Sequence, residues 1–183
     1  RQHRLCVAGV ALAAPPMLLF SPEILTIAAD RGLPEQWVPL CVAVGSAASA
    51  AGRLLCPAAS DHWGRKPVLY GVYAALAAGS IGFAFAQGWW VLAAYCVLTC
   101  FYSGGAAVQP ALNTDLFGLA HAGVNYGLIA LGMSAGSLLS YAGSQLLDLP
   151  ARNMLAVASA VAGGICFLFV KPVATVEKQQ GNG

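Results

Sequence analysis

The stretch PVLYGVYAALAAGSIGFAFAQGWWVLAAYCVLTCFYSGGAAVQPALNT, Pro67 to Thr114, contains 48 residues and no charged side chain. A second uncharged run covers Leu116 to Leu147. A helix needs about 20 apolar residues to span a bilayer, so the first run holds two spans and the second holds one. The whole chain is 58% hydrophobic and 9% charged, whereas a soluble domain carries roughly 25% charged residues and a disordered chain is rich in charge. The composition therefore indicates an integral membrane protein made of helices.

Charged and turn-forming residues divide the chain into six apolar segments. We predict an all-α membrane bundle with spans at about 5–29, 37–59, 67–86, 89–112, 124–147 and 154–170, and a cytoplasmic tail at 171–183. The first residue is Arg1 and not Met, so we expect the chain to begin inside a longer protein. The net charge of +2 gives no indication of nucleic-acid binding.

The distribution of Lys and Arg predicts the orientation of the spans. The set on one side is Arg1, Arg4, Arg65, Lys66, Lys171 and Lys178, and the set on the other is Arg31 and Arg152. Because cytoplasmic loops carry the excess of positive charge, we expect both termini in the cytoplasm of a multi-pass protein of the cell (inner or plasma) membrane. Trp37, Trp89 and Trp90 begin spans at the predicted outer interface, where aromatic residues are enriched.

Two ionisable residues lie within apolar segments, where a charge at the bilayer centre costs roughly 2.5–3.5 kcal/mol or more. Arg53 shares a predicted helix face with Ser46 and Ser49. It either extends to the cytoplasmic headgroups or binds an anion in an aqueous cavity. Glu23 lies near the outer end of the first span, and we expect it to be an interfacial carboxylate.

Helix-breaking and small residues mark three of the spans. Pro15-Pro16 is expected to break the first span and Gly104-Gly105 to interrupt the fourth, either at a transport site or as packing kinks. The fourth span also carries a polar and aromatic stripe that should face protein or a cavity: Tyr95, Thr99, Tyr102 and Gln109. In the fifth span small residues recur every four positions and predict a helix-packing seam: Gly132, Gly136, Ser140 and Ser144.

The most specific motif follows the second span and reads GRLLCPAASDHWGRKP, Gly52 to Pro67. Asp61 and Arg65 lie four residues apart across a short turn, Gly64 supplies the permissive backbone, and Lys66 adds a second anchoring charge. The segment resembles the signature loop of the major facilitator superfamily, with Pro57 in place of the leading glycine and His62 in place of a basic residue. The resemblance implies that Asp61 and Arg65 form a cytoplasmic latch that favours the outward-open state.

A second segment, Ser103 to Ser140, resembles the fourth-to-fifth helix region of the oxalate/formate antiporter family. The matching residues are Gly104-Gly105, Pro110, Asp115, Phe117-Gly118 and Asn125-Tyr126-Gly127, preceded by Gly52-Arg53 and Ser60-Asp61. Both resemblances together imply that the six spans are the C-terminal half of a twelve-helix carrier. The partner of this half is then the N-terminal six-helix half of the same carrier.

The resemblance implies transport of a small carboxylate by alternating access. Arg53 is expected to hold the carboxylate, while Tyr102 and Gln109, with Tyr95 and Ser49, line the cavity. The fifth span has no Lys or Arg, so a monocarboxylate such as pyruvate or formate is favoured over oxalate. The transported partner is a proton or a counter-transported carboxylate, and neither a cofactor nor a metal is expected.

Other classes of protein fit less of the sequence. Gly132 to Gly136 spells the G-x-S-x-G pattern of serine hydrolases, but that pattern requires a strand, a turn and a helix, and Ser134 lies inside a predicted helix. A six-helix channel, a non-transporting receptor and a dimer of half-length carriers remain alternatives. The six cysteines lie in or beside apolar segments and are expected to be packing residues.

Overall fold

The computed structural model describes residues 2–119 and 122–170, which form helices and contain no strand. The helices are α1 Gln2–Ala13, α2 Pro15–Leu18, α3 Ile24–Asp30, α4 Leu40–Trp63, α5 Arg65–Phe85, α6 Trp89–Phe117, α7 Ala122–Leu146 and α8 Leu149–Leu168. Together with two 3-10 turns they make six segments that are long and apolar enough to cross a membrane. The all-α membrane fold expected from the composition is confirmed. The predicted tail at 171–183, with Arg1 and His121, lies outside the described residues.

Several helices run past the spans predicted from the apolar segments. α6 continues beyond Leu112 to Phe117. The apolar segment that predicted the span left out the polar residues Asn113, Thr114 and Asp115, and these are helical too. α8 begins at Leu149, with Pro150 in its first turn, where a missing N–H costs nothing. Positive φ angles at Gly64 (93°) and Gly118 (78°) end α4 and α6.

The first span is broken, as Pro15-Pro16 predicted. α1 ends at Ala13, α2 is a single turn, and a 3-10 turn at Ser21–Glu23 precedes α3. Proline has no N–H to donate and cannot continue the helix ladder, so two successive prolines leave a gap in it. The first span therefore crosses the bundle in three helical pieces.

The fourth span is continuous, and the expectation that Gly104-Gly105 would interrupt it is wrong. The two glycines instead let α6 approach its neighbours. A Cβ atom at Gly104 would lie 2.3 Å from Sγ of Cys56 and 2.8 Å from the carbonyl oxygen of Gly52, and one at Gly52 of α4 would lie 2.0 Å from the carbonyl oxygen of Cys100. α4 and α6 therefore touch through backbone on both sides of their contact.

The small-residue seam of α7 packs against α1. A Cβ atom at Gly132 would lie 2.6 Å from the carbonyl oxygen of Val7, and one at Gly136 would lie 2.3 Å from that of Ala11. Ser140 continues the seam, is buried, and donates its hydroxyl to the carbonyl of Gly136. These contacts agree with a seam that serves close helix packing.

The bundle has two distinguishable ends. The turn end carries the α4–α5 turn at Gly64, and the tryptophan end carries Trp37 and Trp89, whose ring centroids lie 5.8 Å apart. At the tryptophan end, Arg152 donates to Glu23 (Nη1 to Oε2, 2.7 Å) and to the carbonyl of Leu147 (2.8 Å). Glu23 thus joins the broken first span to the turn between α7 and α8.

Two spans bury much less surface than the others. The most apolar windows of the second and fifth spans are 22% and 17% buried, against 33–44% for the other four. α4 and α7 consequently present broad apolar faces that the described residues leave uncovered.

The α4–α6 contact gives a first prediction. Gly52→Ala places a methyl group against the Cys100 carbonyl, so the helices must separate and the free energy of unfolding should fall by about 1–3 kcal/mol. The matched control is Gly71→Ala in α5, where a Cβ atom meets nothing within 4 Å and the better helix propensity of alanine leaves stability equal or higher. Thermal unfolding in detergent measures both variants, and equal melting temperatures would contradict the packing described.

Candidate functional site

The turn between α4 and α5 consists of one residue. The N–H of Gly64 donates to the carbonyl of Ser60 (3.0 Å), and α5 begins at the next residue, Arg65. Gly64 adopts a φ angle of 93°, a conformation that favours glycine over every residue with a side chain. The two helices are therefore joined as tightly as the chain permits, which fixes Arg65 above the end of α4.

Arg65 connects three helices at the turn end. Its Nη1 donates to Oδ1 of Asp61 and to Oγ of Ser60 (2.7 Å), both on α4, and its Nε donates to Oδ2 of Asp115 on α6 (3.1 Å). The Asp115 side chain is 35% exposed and that of Asp61 is 66% exposed, so the bond to Asp115 is the better shielded from solvent. We call Ser60, Asp61, Arg65 and Asp115 the turn-end cluster.

The sequence paired Asp61 with Arg65 and missed Asp115 as the second acceptor. The topology could have predicted this contact. Because the second and fourth spans end on the same side of the membrane, Asp115 must lie at the same end of the bundle as Arg65. Lys66, predicted beside them, points elsewhere and donates to the carbonyl of Val170 beyond α8. A lysine at that position stabilises the negative end of a helix dipole.

Arg53 lies on the outside of α4. It is exposed, and it precedes the end of α4 at Trp63 by ten residues, about 15 Å of helical rise. Within the residues that the structure describes, no carboxylate pairs with it. Arg53 is thus a charge near the middle of a spanning helix with no partner in this part of the chain.

The serines that share the Arg53 side of the helical wheel have other partners. Ser49 shares a hydrogen bond with the hydroxyl of Ser103 on α6, and Ser46 donates to the carbonyl of Val42 (2.8 Å). Ser49 therefore links α4 to α6, while Arg53, one turn later, is exposed.

Tyr95 is buried against the broken first span. Its hydroxyl lies 3.3 Å from Oγ of Ser21, in the 3-10 turn, and its ring covers Gly45, where a Cβ atom would lie 2.6 Å from the ring carbon Cε1. Thr99, one turn later, donates to the carbonyl of Tyr95 (3.0 Å). The hydroxyls of Tyr95 and Thr99 thus both have partners inside this chain.

Tyr102 and Gln109 line one cavity of about 20 Å³ between α1, α5, α6 and α7. The remaining lining is mostly apolar and includes Val10, Leu76 and Met133. Gln109 is buried, whereas Tyr102 is half-buried. The structure brings these two predicted residues together and keeps Arg53 outside their cavity.

A comparison with protein families shows which family the chain belongs to. The sequence model of the Major Facilitator Superfamily matches residues 5–182, nearly the whole chain. The chain belongs to the Major Facilitator Superfamily. No curated protein matches it individually. Membership makes the chain a multi-pass membrane protein of a superfamily of secondary transporters, and the turn-end cluster occupies the loop that resembled the signature of that superfamily.

The hydrolase alternative does not fit a member of this superfamily. α7 runs without a break through Gly132 to Gly136, so the G-x-S-x-G pattern forms no strand–turn–helix elbow. Ser134 is exposed and lies 3.4 Å from the carbonyl oxygen of Ala130 in its own helix. Over residues 2–119 and 122–170 no group of three or more His, Cys, Asp or Glu side chains is arranged to hold a metal ion.

Tyr73 is a buried residue that the sequence reading did not single out. Its hydroxyl donates to the carbonyl of Gly9 (2.6 Å), and its ring lines the same cavity as Tyr102 and Gln109. A tyrosine inside the apolar third span was a detectable signal, because a buried phenol needs a hydrogen-bond partner.

The turn-end cluster gives a second prediction. Removing the charge of Asp115 (Asp115→Asn) should destabilise the chain more than Asp61→Asn, because exposed pairs contribute only about 0.2–1 kcal/mol and the Asp115 pair is less exposed. Double-mutant cycles with Arg65→Gln, read by thermal unfolding at low and high salt, measure the two couplings. A larger or less salt-sensitive coupling to Asp61 would show that the bond to Asp115 is the weaker one.

Proposed function

We propose that this chain is the C-terminal half of a secondary transporter that carries a small carboxylate across the cell membrane by alternating access. The observation that carries the proposal is the position of Arg53, which is exposed near the middle of α4 without an ion-pair partner in the described part of the chain. A charge at this depth is costly unless it faces water or an opposite charge. A substrate carboxylate supplies that charge, and a guanidinium binds it with two parallel hydrogen bonds.

The alternative role for Arg53, contact with the headgroups, suits the end of a helix better than its middle. Lys and Arg side chains reach the interface from the last turns of a span. Arg53 lies six residues, about 9 Å of helical rise, before the end of the predicted span at 59, and so more than one turn deeper than the last residue of that span. Its depth therefore favours a water-filled path over the lipid interface.

The uncovered faces of α4 and α7 support a partner half. These two helices bury the least surface, and Arg53 lies on one of them. In a twelve-helix carrier, the N-terminal six helices cover these faces and enclose the path in which Arg53 meets the substrate. With both termini in the cytoplasm, the turn-end cluster latches the cytoplasmic side in the outward-open state.

The substrate class follows from the charges and from the resemblance to oxalate/formate antiporters. α7 contains no Lys or Arg, so Arg53 alone matches one negative charge, and pyruvate or formate is favoured over oxalate. Tyr102 and Gln109 donate hydrogen bonds in the state that opens their cavity, while Tyr95 and Ser49 fix the helices that border the path. A proton or a second carboxylate moves in exchange or together with the substrate.

Substitution of Arg53 tests the proposal. Arg53→Ala should abolish the saturable uptake and counterflow of labelled formate or pyruvate by proteoliposomes that contain the full-length gene product, while Arg53→Lys should retain a fraction of both. The matched control is Leu54→Ala, which removes an exposed neighbour of Arg53 without changing charge. Normal uptake by Arg53→Ala would refute the role of Arg53, and flux without saturation or counterflow would indicate a channel.

A further inference from the structure

Gln109 poses a hydrogen-bonding problem inside the bundle. The side chain is 3% exposed, and its Oε1 atom has no hydrogen-bond partner among the described residues. Buried amide oxygens are nearly always paired, and hydrocarbon on the outside of the bundle offers no substitute. A group other than the described residues is therefore required at this atom.

The cavity beside Gln109 has the size of a water site. Its volume is about 20 Å³, and a single water needs about 10–15 Å³ measured in this way. A carboxylate with its hydration does not fit into so small a space. The cavity in this conformation accommodates about one water molecule.

The polar lining limits which groups such a water can reach. Tyr73 also lines the cavity, but its hydroxyl is committed to the carbonyl of Gly9. The Tyr102 hydroxyl makes no hydrogen bond to another described residue, and the rest of the lining is mostly apolar. Tyr102 and Gln109 are then the two side chains of this lining with a polar atom that has no hydrogen-bond partner among the described residues, while Tyr73 can still accept a hydrogen bond.

We propose that the cavity between α1, α5, α6 and α7 is a hydration site, in which one water donates to Oε1 of Gln109 and accepts from the hydroxyl of Tyr102. The water satisfies the buried amide and fixes the direction of the phenol. Gln109 is thereby a positioning residue for Tyr102, acting through the water. This site exists whether or not the chain transports a carboxylate, so its test does not use transport.

A double-mutant cycle detects the bridge. Tyr102→Phe should lower the melting temperature of the wild-type chain by roughly 2–4 °C, because it removes one partner of the water. In a Gln109→Met background, which removes the amide at similar volume, the same substitution should have little effect. The matched control is Tyr95→Phe, whose hydroxyl lies beside Ser21 and outside this cavity, so its effect should be equal in both backgrounds.

A density map provides the second measurement, and it does not depend on how the variants fold. At a resolution that shows other ordered waters, a peak within hydrogen-bond distance of both Gln109 and Tyr102 confirms the site. An empty cavity, a peak that contacts only one of the two side chains, or equal effects of Tyr102→Phe in both backgrounds would overturn the proposal.

Discussion

Hydrocarbon offers no partner to a backbone N–H or C=O group, so each membrane segment of this chain must satisfy its own peptide groups. α6 stays a continuous helix past a glycine pair and past Pro110, whose missing N–H removes only one hydrogen bond of the ladder. The first span cannot, because Pro15 and Pro16 remove two successive donors. The pieces that follow are held by side chains instead: Ser21 meets Tyr95, and Glu23 pairs with Arg152. The break is therefore enclosed by protein, as lipid requires.

The close approach of α4 and α6 also determines where the charged side chains of the turn-end cluster meet. Because backbone touches backbone at Gly52 and Gly104, the two helices stay together along their length. Their ends then meet at the turn end, where Asp115 of α6 comes within 3.1 Å of the Arg65 guanidinium. The cluster is thus a consequence of glycine packing deeper in the bundle as well as of the loop that carries Asp61 and Arg65.

Composition, charge and spacing predict the membrane class, the spans, the broken first span and the α7 seam, because these four features depend on the local sequence alone. The partners of individual side chains did not follow. Ser49 and Arg53 share a side of the helical wheel, yet Ser49 bonds to Ser103 while Arg53 is exposed. Which part of a wheel meets a neighbour depends on the rotation of whole helices, and that rotation is set by contacts such as those of Gly52 and Gly45. Gly104-Gly105 was misread for the same reason, since only its neighbours distinguish an interruption of the helix from a close contact.

The polar groups of the described residues divide into two kinds. Tyr95, Ser49 and Tyr73 bond within the described chain, so they stabilise one arrangement of the helices. Arg53 has no such partner among the described residues, and it lies on a helix that is mostly uncovered. A helix bundle that keeps its unpaired charge on an uncovered face can exchange the partner of that charge without repacking its own core. The alternating access that we propose requires this property, since the core must survive every cycle while the surroundings of the charge change.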